Sequence, residues 1–379
     1  MSKIATQAQA VDFVRAVRAD KAPFEIVAGG TRRAVGRPLF KEGGGDIPVL
    51  DVSGLTGVIK YEPGELILTA APSTPLTEIT AVLAEKNQRL GFDPADWSQL
   101  LGSKGVATLA GAASSDASGS GRLRHGPARD SLLGFAGVNG LGEAFRGGGK
   151  VVKNVTGFDL PKLVCGAHGT LCLLTEMTFR VFPRPSHSAI LKLEHVSPEI
   201  GFAALRKVAL SALEPGGLAY LPEGEAGTAL IRLEGAAQPL EEKIALAHGL
   251  LGDGLVRAED DGIFARIGSG ALFADTPGDI WRVMIPQSEA PRVVRALNAA
   301  HWLGDWAGGL IWLAAPPSEA ARIRGIAAAH QGQAMLLRAA PETRAQFGLF
   351  AEPPPALAAL NRAVKAAFDP LHLFNPGRL

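Results

Sequence analysis

The residues best placed to do chemistry in this chain are small ones. Ala28-Gly29-Gly30-Thr31-Arg32 follows the short apolar run FEIV. A strand that ends in such a turn can aim its N–H groups at a phosphate, with a hydroxyl and a guanidinium beside them. The same residues also suit an ordinary strand-to-loop turn, and the motif alone leaves both readings open. It lacks the closing Gly-Lys-Ser/Thr of a P-loop and the Gly-x-Gly-x-x-Gly of a dinucleotide fingerprint. A second constellation runs from Thr108 through Gly111, Ala112, Ser114, Ser115 and Asp116 to Gly119. Arg122, Arg124 and the sequence Gly126-Pro-Ala-Arg-Asp130 come next. Between residues 102 and 149, 13 of 48 positions are glycine. Glycine loses more conformational freedom on folding than any other residue, so this density needs a reason. Close approach of backbone to a large, flat or phosphorylated cofactor supplies one.

The elements that must hold these loops can be read from pattern. MSKIATQAQAVDFVRAVRAD shows helical spacing through Val11, Val14 and Val17 rather than the apolar run of a signal peptide. FEIVAGGT, IPVLDVSGL and GVIKYEPGELILTAAP read as strands, with Pro63-Gly64 as a hairpin turn. TEITAVLAEKNQRLGF reads as a helix, and VKNVTGFDL and LCLLTEMTFRVFP as strands flanking the glycine-rich region. After Pro185, apolar strands alternate with amphipathic helices such as PEIGFAALRKVALSAL and SEAARIRGIAAA, an α+β layer of ferredoxin-like type. No repeat of fixed period is evident.

Composition narrows the class. At 379 residues the chain has room for two domains. A charged fraction of 20% and a hydrophobic fraction of 47% are those of a globular protein. Net charge is +1 without a long basic tract, which argues against nucleic acid as a partner. Cys165 and Cys172 are the only cysteines, too few for an iron–sulfur cluster, and they fit a reducing compartment. No apolar run reaches the ~20 residues needed to span a bilayer. The expectation is a cytoplasmic protein, peripheral at the inner membrane only through a partner.

AGGT, FDPAD, ATLAGAASSDASGSG, HGPARD, KNVTGFDLPKL, GAHGTLCLLTEMTF and a terminal FNPGR occur in that order. In that order they resemble the FAD-binding flavoproteins of the p-cresol methylhydroxylase (PCMH) type, the vanillyl-alcohol oxidase superfamily. Within it, VVKNVTGFDLPKLVCGAHGTL is most similar to the FAD-binding subunits of glycolate oxidases.

The resemblance implies an α+β chain of three parts. These are a two-part PCMH-type FAD-binding domain (1–184), a ferredoxin-like antiparallel α+β cap (185–360) and a segment (361–379) returning to the first. It implies that Ala28, Gly29, Gly30, Thr31 and Arg32 hold the FAD pyrophosphate. Pro94, Thr108, Gly111, Ala112, Ser115, Asp116, Gly119, Gly126, Gly169, Thr170, Leu173 and Asn375 are the further cofactor positions it implies. FAD is expected to bind without a covalent link, since AGGTRR holds neither histidine nor cysteine; His125, His168 and Cys165 are the residual attachment candidates. The implied activity is an FAD-dependent oxidoreductase subunit of a glycolate (2-hydroxy acid) oxidase complex. Its implied partners are a homologous FAD-binding catalytic subunit and an iron–sulfur subunit. A self-sufficient flavin oxidoreductase acting on another alcohol, and a non-catalytic assembly subunit, are the alternatives. No metal is expected: His187, His195, His248, His301 and His330 of the cap show no ligand spacing. Catalytic residues are not identified, and Arg232, Arg282 and Arg338 are the cap cations on expected strands.

Overall fold

The computed structural model describes residues 3–39, 45–149, 158–252, 254–259 and 262–379. The chain divides into two units: Met1–Ala117, Pro127–Arg184 and Glu352–Leu379 make up one, and Ser118–Gly126 with Pro185–Ala351 the other.

In the first unit, strands β1 (Glu25–Val27) and β2 (Val49–Asp51) pair in parallel. The helix Gln7–Ala19 starts at Thr6, whose side chain accepts from Gln9 N while the Gln9 side chain returns to the Thr6 backbone. This capping box satisfies two amides that the first turn leaves without partners. Its Ala10 and Val14 join Phe24, Leu50, Val138, Leu173, Leu373 and Phe374 in one core cluster. A second sheet runs β3 (Val58–Glu62), β4 (Ile67–Ala70), β8 (Leu173–Pro183), β6 (Leu132–Val138), β7 (Ala144–Gly148), and β5 (Gln88–Leu90) pairs with the end of β8. The expected hairpin at Pro63-Gly64 joins β3 and β4, with Glu62 opposite Ile67 and Leu66 left-handed at φ 56°. Alternate residues of β8, namely Met177, Phe179 and Val181, are buried against Leu68, Phe92 and Phe135. That is the period-2 pattern of a strand with one face on a core.

The strand expected over 152–160 lies largely outside the described residues. Its last residue, Leu160, instead opens the helix Leu160–Val164, where Pro161 takes an early helical position that needs no N–H.

The second unit is one eight-stranded antiparallel sheet in the order β12-β9-β11-β10-β14-β15-β13-β16. The strands are β9 (His187–Leu193), β10 (Gly217–Glu223), β11 (Ala226–Gly235), β12 (Leu255–Ala258), β13 (Asp279–Met284), β14 (His301–Asp305), β15 (Leu310–Ala315) and β16 (Gln333–Arg338). Helices Pro198–Ala209 and Ala237–Leu251 fall after β9 and β11, and Ala290–Leu297 and Ala320–Ala329 after β13 and β15. Each half is therefore a β-α-β-β-α-β ferredoxin-like motif. The halves meet where β10 pairs with β14 at Tyr220 and Gly304. The sequence shows no repeat, yet the topology repeats, because a fold needs the hydrophobic pattern rather than the same residues.

Candidate cofactor site

The turn of residues 28–32 leaves the C-terminal end of β1. A Cβ added to Gly29 would fall 1.7 Å from Val106 O, and one on Gly105 would fall 1.7 Å from Gly29 O. The two backbones thus touch directly, which only glycine allows. Gly30 adopts φ +74°, and a Cβ there would meet only Val27 Cγ1 at 3.9 Å. Its free side is open space, the kind of cradle a ligand fills.

Arg32 braces this turn against two other segments. Its Nη1 donates to Ser115 Oγ at 2.7 Å and its Nη2 to the Ala95 carbonyl. The guanidinium lies 4.5 Å from the centroid of the buried Trp97 ring. Burial lowers its pKa to about 10 against the opposing pull of Asp96, so it stays charged near neutrality. Ser115 Oγ donates onward to Gly111 O at 2.7 Å. Thr108 caps the short helix Leu109–Ser114 by accepting from Gly111 N.

The C-terminal tail supplies further lining. Asn375, at φ +42°, accepts from Ile26 N at 2.8 Å through Oδ1 and donates from Nδ2 to the His168 and Gly169 carbonyls. Arg378 donates to the Arg33 and Val35 carbonyls and pairs with Glu25 at 2.7 Å. Arg33 binds the same carboxylate at 2.6 Å. Burial pushes Glu25 up, but the hydrogen bonds and charges of Arg33 and Arg378 outweigh it and hold the group below its ordinary value. His168 follows with φ +50°, and its N donates to Ser114 O at 2.7 Å. Desolvation, then the charges of Arg378 and Arg32, lower its pKa to about 3, so its imidazole is neutral.

These walls enclose a cleft with about 850 Å³ of empty space, part of it open to solvent. Ala28, Gly29, Gly30, Thr31, Arg32, Thr108, Gly111, Ser115, Gly169 and Asn375 line it. Seven other expected positions lie elsewhere. Ala112 is fully buried behind the wall, and Asp116 follows the helix at φ +46°. Pro94 and Thr170 are half-buried beside the cleft, and Leu173 packs into the core with Phe374. Gly119 and Gly126 group with the second unit, where Gly119 O accepts from Trp306 Nε1 and Gly126 ends the helix Arg122–His125. Sequence reading missed Glu25, Ser73 and Arg378 as lining residues, and took His168 only as a residual attachment candidate. Arg378 closes the terminal FNPGR motif, the one signal that could have exposed it.

In the second unit the three cap arginines already have partners. Arg338 donates to the carbonyls of Phe273 and Ala274, and Arg232 to Gly216 O while 3.3 Å from Glu234. Arg282 is buried between the rings of Trp306 and Trp312, 5.2 and 5.0 Å from their centroids. His330 pairs with Glu289 at 2.8 Å. Among the described residues no three His, Cys, Asp or Glu side chains group in a way that could hold a metal.

A backbone turn at the end of a parallel strand, three arginines against one carboxylate, and glycines leaving open space along the wall suit an extended, anionic dinucleotide. Residues 3–148 match the FAD binding domain family. Fold and cleft thus define the class, an FAD-dependent oxidoreductase. The chain is 32% identical over 361 residues to glycolate oxidase subunit GlcE of Escherichia coli K12, covering 95% of this chain and 93% of that protein. It is 24% identical over 175 residues to glycolate oxidase subunit GlcD of Bacillus subtilis, 46% of this chain and 36% of that one. Among solved structures, p-cresol methylhydroxylase with substrate bound has the same fold, at a TM-score of 0.70 and 15% identity, with 99% of this chain and 87% of that one covered. The chain belongs to the family of FAD-linked oxidoreductases that contains GlcE.

Proposed function

We propose that this chain is the FAD-binding subunit of a complex that oxidises glycolate or a related 2-hydroxy acid, and that its flavin passes electrons to an iron–sulfur partner. The observation that carries this is the 32% identity to GlcE along 95% of the chain. The cleft of the first unit holds the FAD. The Gly29-Gly30 turn and Arg378 take the pyrophosphate side, Arg32 fixes the turn through Ser115 and Ala95, and Asn375 holds the His168–Gly169 loop to β1. When bound, the flavin supplies a two-electron acceptor.

A 2-hydroxy acid needs a cation for its carboxylate and a base for its hydroxyl proton. The cap arginines are engaged with carbonyls, a carboxylate and indole rings, so substrate oxidation falls to a homologous FAD-binding subunit. The likeness to GlcD is in keeping with such a sister chain. Two cysteines cannot bind a cluster, so electrons leave through another protein. The complex is cytoplasmic and reaches the inner membrane through its partners; among the described residues no helix is long and apolar enough to cross a membrane.

The test uses the full chain purified alone and with its co-expressed partners. Acid precipitation should release yellow flavin into the supernatant, as a non-covalent cofactor does. Rapid mixing with glycolate should leave the flavin absorbance of the single chain oxidised and bleach that of the complex. Full bleaching of the single chain at the rate of the complex would move the active site here. A colourless preparation that takes up no added FAD would make the chain an assembly subunit.

A further inference from the structure

His168 enters the family resemblance only as a residual attachment candidate, yet its position is specific. It is one of the residues that line the cleft. Its backbone is held at φ +50°, a conformation that costs a non-glycine residue roughly 1 kcal/mol or more. Three bonds fix it there: His168 N to Ser114 O, and the Asn375 amide to the His168 and Gly169 carbonyls. A strained backbone tied to Ser114 and Asn375 holds this histidine in the lining of the cleft.

The charges around it are those of an anion site. Arg32 comes from the turn after β1, and Arg378 from the tail. Arg33 and Glu25 complete the ionised groups of the cleft wall, with Glu25 held by Arg33 and Arg378. On the neighbouring elements, Asp116 packs near Gly166, and Lys365 binds the Thr170 carbonyl while paired with Asp369. Without ligand, burial first and then the positive field of the Arg378 and Arg32 charges keep the imidazole neutral. A phosphate anion entering beside the arginines reverses that field.

We propose that His168 is a direct ligand of the anionic, phosphate-bearing part of FAD and takes up a proton as the cofactor binds. This rests on the cleft being the FAD site. A unit negative charge about 4 Å away, at an effective dielectric near 20, is worth about three powers of ten in proton affinity. That is enough to carry the ring from pKa about 3 toward neutrality. FAD binding then tightens as pH falls, approaching tenfold per pH unit between the free and bound titrations.

Apoprotein is titrated with FAD by calorimetry at pH 6, in two buffers of different ionisation enthalpy, neither of them phosphate. The dissociation constant is then followed from pH 4.5 to 7. Wild type should take up protons and lose affinity as pH rises. His168→Gln, which keeps a donor but cannot titrate, should take up none and show a flat profile. Gly111→Val, which projects into the same cleft, separates the two premises, with apoprotein melting temperature as the folding control. If it binds FAD weakly while His168→Gln matches wild type in proton uptake and pH profile, the cleft stands and the role of His168 falls. If neither variant alters binding, the cleft assignment falls, and with it this inference.

Discussion

Replacing Asn375 with alanine tests the cleft architecture most directly. The side chain spans elements that lie 349 and 207 residues away in sequence. Alanine strands the Ile26 N–H, whose acceptor at 2.8 Å is gone, and removes the donor to the His168 and Gly169 carbonyls. A buried polar group left unsatisfied costs about 1–3 kcal/mol. Alanine at φ +42° adds about 1 kcal/mol of backbone strain that asparagine tolerates better. The sum is about 3 kcal/mol, concentrated where the tail crosses β1.

Hydrogen exchange followed by mass spectrometry reads this locally, in peptides covering residues 24–28 and 166–171. Three kcal/mol corresponds to roughly 150-fold faster exchange at Ile26, if opening of this contact limits it. Asn375→Gly loses the same bonds without the strain, so it should fall about 1 kcal/mol short of the alanine variant. Asn375→Asp keeps the acceptor for Ile26 and should protect that amide while loosening the 166–171 loop. Unchanged exchange at Ile26 in the alanine variant would show that the tail does not hold β1, and the positioning role given to it would be wrong.

Two other outcomes follow from the same geometry. Gly111→Val places a Cβ 3.1 Å from Thr108 Oγ1 and 3.8 Å from Arg32 Nε. Added FAD at a hundredfold excess over its dissociation constant should stabilise wild type by about 2.7 kcal/mol and leave the melting temperature of the variant nearly unmoved; equal shifts would count against this placement of the loop. Glu25→Gln leaves the Arg378 guanidinium buried without its carboxylate, a loss of about 3–5 kcal/mol at pH 7. The Glu25 pKa is depressed in the folded state, so its contribution is full above the unfolded value near 4.5 and fades as pH falls through the folded one. Melting curves of variant and wild type should therefore converge in acid, and a gap that stays constant down to pH 3 would contradict the pairing.

The sequence by itself carried the glycine turns of the cleft, because what they need is local. A backbone that must touch another backbone or leave a ligand free space demands glycine at that position, and Gly29, Gly30 and Gly111 announce it without reference to the rest of the chain. The alternation of period-2 and helical patterns likewise exposed the ferredoxin-like layer. Only the tertiary structure decided that this layer is two βαββαβ halves joined through β10 and β14, since the halves share a pattern of burial rather than residues. It alone turned Arg32 toward Ser115 and Trp97, sent Gly119 and Gly126 to the second unit, and spent Arg232, Arg282 and Arg338 on partners in the cap. It also brought Glu25, His168, Asn375 and Arg378 into one cleft. A charged or polar side chain gains its role from what faces it, and those neighbours lie hundreds of residues apart, where no local pattern records the meeting.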